Sequence, residues 1–184
     1  MKKFLIVVDM QTDFVDGALG TPEAVAILPK VCEKIRGFDG ELLVTLDTHG
    51  ENYMETAEGK SLPVPHCIKG TVGWCLHPQV AEALKGRAYR MVEKGTFGSV
   101  ELPARLAEIA KGEEFSVELI GLCTDICVVS NALLLKAHFP EKAIRVDASC
   151  CAGVTPESHQ AALFTMKMCQ IEISQNGPDR RKKD

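Results

Sequence analysis

Five short apolar runs alternate with longer segments of helical periodicity, and this alternation constrains the fold more than any other feature of the sequence. The apolar runs cover residues 4–8, 42–46, 88–92, 117–122 and 143–146, with a further candidate strand at 171–173. Residues 23–35, 78–84, 101–110, 125–138 and 156–169 have the helical patterns. Continuously apolar strands are typical of parallel sheets joined by right-handed crossovers. We therefore predict a doubly wound α/β fold, with a mostly parallel sheet of about six strands and helices on both faces.

Length and composition favour one domain. The 184 residues are 46% hydrophobic, which is enough for one core and little for two. We expect a single domain over residues 1–174 and a polar tail over 175–184. The net charge of −4 argues against a nucleic-acid partner. No apolar segment approaches the roughly 20 residues that span a bilayer, so we expect no membrane partner and a cytoplasmic location.

The eight cysteines do not indicate a disulfide framework. The adjacent pair Cys150 and Cys151 is not spaced like one, and the chain is larger than the usual disulfide-rich scaffold. No C-x-x-C pair occurs, and Cys123 and Cys127 are four residues apart, so a four-cysteine zinc site is not expected. We predict reduced thiols.

Chemically active side chains follow four of the predicted strands. Asp9 ends the first strand, Asp47 and His49 the second, Lys94 the third, and Cys127 comes soon after the fourth. Ligands of open parallel sheets bind beyond the carboxyl ends of the strands, where these residues should converge. The pattern predicts one functional site at this edge.

Cys127 lies where the fourth strand turns into a helix. With Thr124 as N-cap, Cys127 would lie in the first helical turn, whose free N–H groups lower the pKa of a thiol. A buried structural cysteine is the ordinary alternative. We favour a nucleophile because of the residues at the other strand ends.

Asp9, Lys94 and Cys127 together have the chemistry of a cysteine hydrolase triad. A carboxylate can remove the thiol proton, a lysine can stabilise negative charge, and the thiolate can attack an electrophilic carbon. The backbone N–H groups of Cys123 and Cys127 are candidates for the oxyanion hole. Taken singly, Asp9 and Lys94 also fit a solvated acid and an exposed lysine.

A second cluster predicts a divalent metal site. Asp47 and His49 are two residues apart and share one face of an extended segment, and His66 follows a proline-rich stretch that could return it to them. Two imidazoles and a carboxylate suit zinc first, or iron or manganese, with Glu58 or Glu55 as a further ligand. The alternative is that His49 caps a loop and His66 packs against prolines. Three histidines look like ordinary helix-associated residues: His77, His138 and His159.

Five segments occur in an order that resembles a known family. They are residues 7–14, 47–49, 65–71, 94–97 and 121–128. Over residues 3–174 the chain resembles the isochorismatase-like cysteine hydrolases, and among them the nicotinamidases. The resemblance implies the same triad, with Asp47, His49 and His66 as metal ligands. It also implies a cis peptide bond between Leu122 and Cys123, and a homo-oligomer that acts on a small-molecule amide.

The resemblance also implies a substrate pocket. Phe14 matches an aromatic residue that lines the family's pocket. Nicotinamidases usually carry another aromatic residue just before the Pro-His step, where this chain has Leu62 followed by Pro63-Val64-Pro65-His66. Trp74 lies nearby in the sequence and is the candidate to replace that ring, or else it serves in packing. We expect Phe14, Leu62 and Trp74 at the pocket.

The resulting prediction is a cysteine amidohydrolase, with nicotinamide as the first candidate substrate and a thioester intermediate. A relative acting on another small amide, ureide or carbamoyl compound is the nearest alternative. Isochorismatases proper generally lack the nucleophilic cysteine, so Cys127 argues against that activity. Two other classes are a phosphoacceptor signalling domain, which fits the positions of Asp9 and Lys94 less well, and a metal or redox sensor that uses Cys150 and Cys151.

Overall fold

A six-stranded parallel sheet forms the centre of the structure, a computed structural model that describes residues 1–174. The strands are β1 (Lys2–Val8), β2 (Glu41–Asp47), β3 (Tyr89–Lys94), β4 (Phe115–Leu122), β5 (Ala143–Ala152) and β6 (Glu172–Ser174). Their order is β3-β2-β1-β4-β5-β6, and all neighbours pair in parallel. The order reverses between β1 and β4, as in doubly wound folds. The predicted fold class is confirmed; the predicted tail at 175–184 lies outside the described residues.

Seven α-helices connect the strands within the described part of the chain. They are α1 (Thr12–Val15), α2 (Pro22–Gly37), α3 (Ala57–Ser61), α4 (Pro78–Leu84), α5 (Leu102–Ala110), α6 (Val129–His138) and α7 (Pro156–Met168). A 3₁₀ turn covers Tyr53–Glu55, and a π-helical turn covers Thr124–Val128. The sequence pattern did not predict α1 and α3, because helices of four and five residues are too short to show a period.

Two apolar layers cover the sheet, one on each face. On one face Phe4, Ile6 and Val8 of β1 pack with residues of α5, α6 and α7. On the other face Leu5 and Val7 pack with residues of α2 and α4. Successive side chains of a strand point to opposite faces, so the continuous apolar run of β1 serves both layers.

Strand β5 runs six residues beyond the predicted segment 143–146. Its pairing with β4 shifts in register between Leu119 and Gly121, and then resumes at Cys151 and Ala152. Gly121 has φ +116°, and a Cβ there would meet the carbonyl oxygen of Val8 at 2.1 Å. Glycine is therefore required where β4 passes β1, directly beside the strand end that carries Asp9.

All eight cysteines are free. Cys150 and Cys151 are both buried and belong to the two different apolar layers, because neighbouring residues of β5 face opposite ways. Within residues 1–174, no helix is long and apolar enough to cross a membrane.

Candidate active site

The side chains of Asp9, Lys94 and Cys127 meet in one buried cluster at the carboxyl edge of the sheet. Lys94 Nζ lies 2.7 Å from Asp9 Oδ2 and donates to Cys127 Sγ at 3.5 Å. All three residues are at most 5% exposed. The structure thus brings together three residues that are separated by 85 and 33 positions in the sequence.

Thr45 of β2 orients the Asp9 carboxylate. Its hydroxyl donates to Asp9 Oδ1 at 2.6 Å, and its backbone carbonyl accepts from the Asp9 N–H at 3.3 Å. Asp9 itself has φ +46°, a left-handed conformation that aspartate tolerates better than most residues. The sequence analysis did not identify Thr45, although it is the one polar side chain inside the apolar run 42–46.

Burial dominates the electrostatics of the cluster. It raises the pKa of Asp9, although the Lys94 ammonium opposes the rise. Burial and the charge of Asp9 also raise the pKa of Cys127 well above its usual range, against the effect of Lys94. The sequence-based expectation of a lowered thiol pKa is therefore wrong for the free protein, since the helix entrance is too buried. A carboxylate with a raised pKa is, however, a stronger base for the thiol proton.

The turn that carries Cys127 starts one residue earlier than predicted. Cys123 is the N-cap of the π-helical turn, and its carbonyl accepts from the N–H groups of Ile126 and Val128 at 3.1 and 3.0 Å. Thr124 is not the N-cap; it lies inside the turn, and its hydroxyl bonds His159 Nδ1 at 2.7 Å. The peptide bond between Leu122 and Cys123 is cis, as expected. The N–H groups of Cys123 and Cys127 remain our candidates for the oxyanion hole.

Asp125 ties this turn to the start of α7. Its carboxylate accepts from the Val154 N–H at 3.1 and 3.2 Å and from the Ser158 hydroxyl. Gly153 lets the helix approach, because a Cβ there would lie 2.9 Å from the His159 side chain. Asp125 and His159 thus brace the turn that carries Cys127, although His159 was expected to be an ordinary helix-associated residue. Neither role is visible in sequence spacing alone.

Four donor groups converge beside the cysteine cluster. One ligand atom from each of Asp47, His49, Glu58 and His66 lies within 4.8 Å of the others. Asp47 Oδ2 is 3.0 Å from His49 Nε2 and 3.7 Å from His66 Nε2, and Glu58 Oε1 is 3.6 and 3.7 Å from the same two nitrogens. Glu55, the other predicted acid, is not in this group within the described residues.

The donor set fits a divalent metal of the zinc, iron or manganese type. Two imidazole nitrogens and two carboxylates are borderline ligands that suit these ions. His66 Nδ1 donates to the carbonyl of Val64 at 2.8 Å, which directs Nε2 towards the other donors. Burial acts to raise the pKa of Asp47, but hydrogen bonds from His49 and His66 and the charge of Lys94 outweigh it and hold the pKa well below its usual range.

Residues of the segment 7–14 position the loops that carry the candidate metal ligands. Gln11 Oε1 accepts from the Asp47 N–H, and Gln11 Nε2 donates to the Asp47 carbonyl, both at 2.8 Å. Asp13 Oδ2 accepts from the N–H of Cys67, next to His66, at 2.8 Å. This segment therefore supports the metal donors as well as carrying Asp9, which the sequence analysis did not foresee.

Tyr53 is a further residue that the sequence analysis missed. Its ring packs edge-on against His49 and His66, with centroids 4.8 and 5.0 Å apart, and its hydroxyl donates to the Leu62 carbonyl at 2.9 Å. The residue is almost fully buried. It holds both imidazoles and the Leu62 segment in place.

A cavity of about 910 Å³ joins the cysteine cluster and the metal donors. Phe14 and Leu62 line it, and Cys123 and Cys127 form part of its floor. Trp74 is not among the lining residues; its Nε1 donates to the Thr48 hydroxyl at 2.9 Å and its ring packs against the core. Trp74 therefore does not supply the second aromatic ring that was expected of it, and Phe97 is the other phenylalanine that lines the cavity.

Comparison with known proteins identifies the family. The isochorismatase domain family matches residues 3–176. The chain belongs to the isochorismatase domain family. The predicted resemblance is confirmed, and so is the prediction of a hydrolase that acts on amide carbon–nitrogen bonds.

Relatives of this isochorismatase-family chain include nicotinamidases. It is 27% identical to a nicotinamidase/pyrazinamidase of Mycobacterium tuberculosis, over 92% of this chain and 96% of the relative. The crystal structure of a nicotinamidase/pyrazinamidase of Bacillus subtilis matches with a TM-score of 0.81 and 26% identity, over 95% of this chain and all of that one. The crystal structure of a pyrazinamidase of Pyrococcus horikoshii in complex with zinc matches with a TM-score of 0.79 and 29% identity, over 95% of this chain and 99% of that one.

Proposed function

We propose that this isochorismatase-family hydrolase is a cysteine amidohydrolase that converts nicotinamide and water into nicotinate and ammonia. The observation that carries the proposal is the buried cluster of Asp9, Lys94 and Cys127 at the floor of a cavity that also holds a set of metal donors. The nicotinamidases among its relatives support nicotinamide as the substrate.

The first half-reaction forms a thioester. Asp9 accepts the Cys127 proton, and Sγ attacks the amide carbon to give a tetrahedral oxyanion, which accepts from the N–H groups of Cys123 and Cys127. The carbon–nitrogen bond then breaks, and the leaving nitrogen takes the proton back from Asp9 to depart as ammonia. Asp9 ends this step as a carboxylate.

The second half-reaction releases the acid. Asp9 removes a proton from a water molecule whose oxygen attacks the thioester carbon, and the carbon–sulfur bond breaks. The proton returns to the Cys127 sulfur. Throughout, the ammonium of Lys94 lies within reach of both Asp9 and the sulfur and stabilises whichever of them is charged.

Asp47, His49, Glu58 and His66 would hold a divalent metal, with zinc as the first candidate and iron or manganese as alternatives. When bound, the metal supplies a Lewis acid that orients the substrate through its ring nitrogen or a water molecule. Phe14 lies beside this site, with its ring centroid 5.4 Å from that of His66, and offers apolar area to an aromatic ring.

Ammonia release from nicotinamide by the metal-loaded protein tests the proposal. We expect turnover by the wild type, none by Cys127→Ala, and unchanged turnover by Cys75→Ala, because Cys75 is exposed and lies outside the cavity. Failure of the folded, metal-loaded wild type to release ammonia would contradict nicotinamide as the substrate. Equal turnover by Cys127→Ala would contradict the nucleophile.

A second candidate function is hydrolysis of another small amide, ureide or carbamoyl compound by the same triad. The stretch Leu62-Pro63-Val64 before Pro65-His66 has no aromatic residue, unlike the same stretch in most nicotinamidases, and Leu62 lines the cavity, which favours this candidate. A panel of such compounds in the same ammonia assay separates the two candidates.

We also propose a cytoplasmic, homo-oligomeric enzyme. Eight free cysteines suit a reducing compartment. Phe164 and Met168, one turn apart on α7, are 65% and 64% exposed and offer apolar surface to a second copy. Size-exclusion chromatography with light scattering tests the assembly.

A further inference from the structure

The outer part of the cavity is apolar and open, unlike its floor. Leu62, Phe97 and Val154 line it and are 37%, 46% and 51% exposed. Ile126 and Leu19 complete this wall. The floor, by contrast, carries Cys127 and the metal donors, all of which are buried except the half-buried Glu58. We call these five apolar residues the vestibule.

The cavity is larger than a single pyridine ring requires. Its volume of about 910 Å³ lies near the upper end of the range of about 300–1,000 Å³ that drug-sized ligands occupy. A pyridine carboxamide with its amide at Cys127 and its ring beside Phe14 would occupy only the inner part of this volume. The vestibule then remains in contact with water, and its apolar side chains contribute little to binding.

The backbone of the vestibule is fixed in place. The Val154 N–H donates to the carboxylate of Asp125, a residue of the turn that carries Cys127. On the other side, the buried Asn131 donates to the Phe97 carbonyl at 3.2 Å and accepts from the Ser99 N–H at 2.9 Å. A wall that is already ordered binds a ligand without a large entropy cost of ordering.

We propose that the vestibule selects primary carboxamides of aromatic ring acids that carry an apolar substituent, in preference to unsubstituted nicotinamide. This inference rests on the proposed function and deepens it. Burial of the substituent among Leu62, Phe97 and Val154 is remote from the reacting carbon. Binding energy of this kind supports orientation of the amide at Cys127.

The test compares nicotinamide with nicotinamides that carry methyl, propyl and pentyl groups at ring positions 5 or 6. In one of the two series we expect kcat/KM to rise by about threefold for each methylene that the vestibule buries. This factor is slightly smaller than the gain expected when a methylene is buried completely. Nicotinamide turnover with kcat/KM values that stay flat or fall in both series would overturn the vestibule proposal and leave the proposed function intact.

Two variants with matched controls locate the effect. Val154→Thr removes apolar area without changing shape, and Val25→Thr does the same at a residue of similar exposure, 45%, outside the cavity. We expect Val154→Thr to lower the pentyl-to-nicotinamide ratio of kcat/KM by threefold or more, and Val25→Thr to leave that ratio unchanged. Phe97→Ser and Tyr89→Ser, the latter at an aromatic residue of comparable exposure outside the cavity, form a second pair with the same expectation. If all four variants have the same pentyl-to-nicotinamide ratio of kcat/KM, the assignment of Val154 and Phe97 to the vestibule is wrong.

Binding to Cys127→Ala measures the vestibule without chemistry. Calorimetry with the same alkyl series should give a Kd that falls with chain length in step with kcat/KM of the wild type. If the wild type releases no ammonia from any member of the series, the proposed function fails. The Kd series still decides the vestibule, because a Kd that does not fall with chain length overturns it.

Discussion

Lys94 Nζ lies 3.1 Å from Asp47 Oδ1, so one ammonium group contacts both the cysteine cluster and the metal donors. The sheet itself creates this contact, since Asp47 and Lys94 are register partners at the ends of β2 and β3. Burial works against the charge of Lys94, but Asp9, Cys127 and Asp47 raise its pKa far above the usual range. Lys94 is therefore a permanent cation between the two halves of the site.

Lys94→Met is expected to abolish activity and to destabilise the fold. Removal of one partner leaves Asp9 buried without its cation, at a cost of about 3–5 kcal/mol in the free energy of unfolding. Urea unfolding and the ammonia assay measure the two effects. Lys69→Met is the control, because its pair with Glu93 is exposed and worth about 0–1 kcal/mol. Equal stability losses in the two variants would contradict the role of burial.

Glu58→Gln is expected to weaken zinc binding by about 10- to 100-fold, because an amide oxygen is a poorer metal ligand than a carboxylate. Glu55→Gln, three residues away and outside the donor group, should bind zinc like the wild type. Competition with a chromophoric chelator measures both affinities. A loss confined to Glu55→Gln would show that the wrong acid was assigned.

Asp125→Ala is expected to lower both kcat and the free energy of unfolding. The Val154 N–H and the Ser158 hydroxyl lose their acceptor, at a cost of about 1–3 kcal/mol. Asp125→Asn keeps one acceptor oxygen. Its kcat and its free energy of unfolding should therefore lie between those of Asp125→Ala and those of the wild type. A loss of stability with unchanged kcat would mean that the hydrogen bond between Asp125 and α7 does not position the turn that carries Cys127.

His159→Gln is expected to flatten the dependence of stability on pH. Burial lowers the pKa of His159 in the folded protein below its unfolded value of about 6.5. As the pH falls through that value, the unfolded chain binds the proton first, so the wild type loses stability. Glutamine does not titrate and can still bond Thr124. Denaturant unfolding between pH 7 and pH 5 should show a shallower slope for the variant, and identical slopes would contradict the assignment.

The sequence contained most of the fold because the apolar runs were long enough to identify strands that are buried on both faces. The same pattern also predicted the edge of the sheet at which the site lies, because parallel strands place Asp9, Asp47 and Lys94 at one edge. Helices α1 and α3 are too short for periodicity. The length of β5 depends on a register shift against β4, which is a property of strand pairing.

Contacts between distant segments could not be predicted from the sequence. Thr45, Gln11 and Tyr53 act through bonds and ring contacts that only the folded chain brings about. The pKa of Cys127 was predicted in the wrong direction because spacing indicates a helix entrance but does not show how deeply it is buried. Trp74 was misplaced for a similar reason, since nearness in sequence did not show which way its ring packs.

The structure also bears on the sensor alternative. Cys150 and Cys151 lie on opposite faces of the sheet, and burial raises the pKa of Cys150 to about 11 and raises that of Cys151 further. Side chains on opposite faces of one strand point away from each other, so the two sulfurs cannot form a disulfide without a rearrangement of β5. These two cysteines therefore favour packing over a redox role.

Intact-protein mass spectrometry of rapidly quenched reactions with nicotinamide tests the central claim most directly. The account predicts a transient mass increase of one nicotinoyl group on the wild type, located at Cys127 by peptide mapping and absent from Cys127→Ala. The same adduct should form on Cys123→Ala, since Cys123 contributes only its backbone N–H. An adduct on another cysteine, or ammonia release by Cys127→Ala at the wild-type rate, would contradict the account.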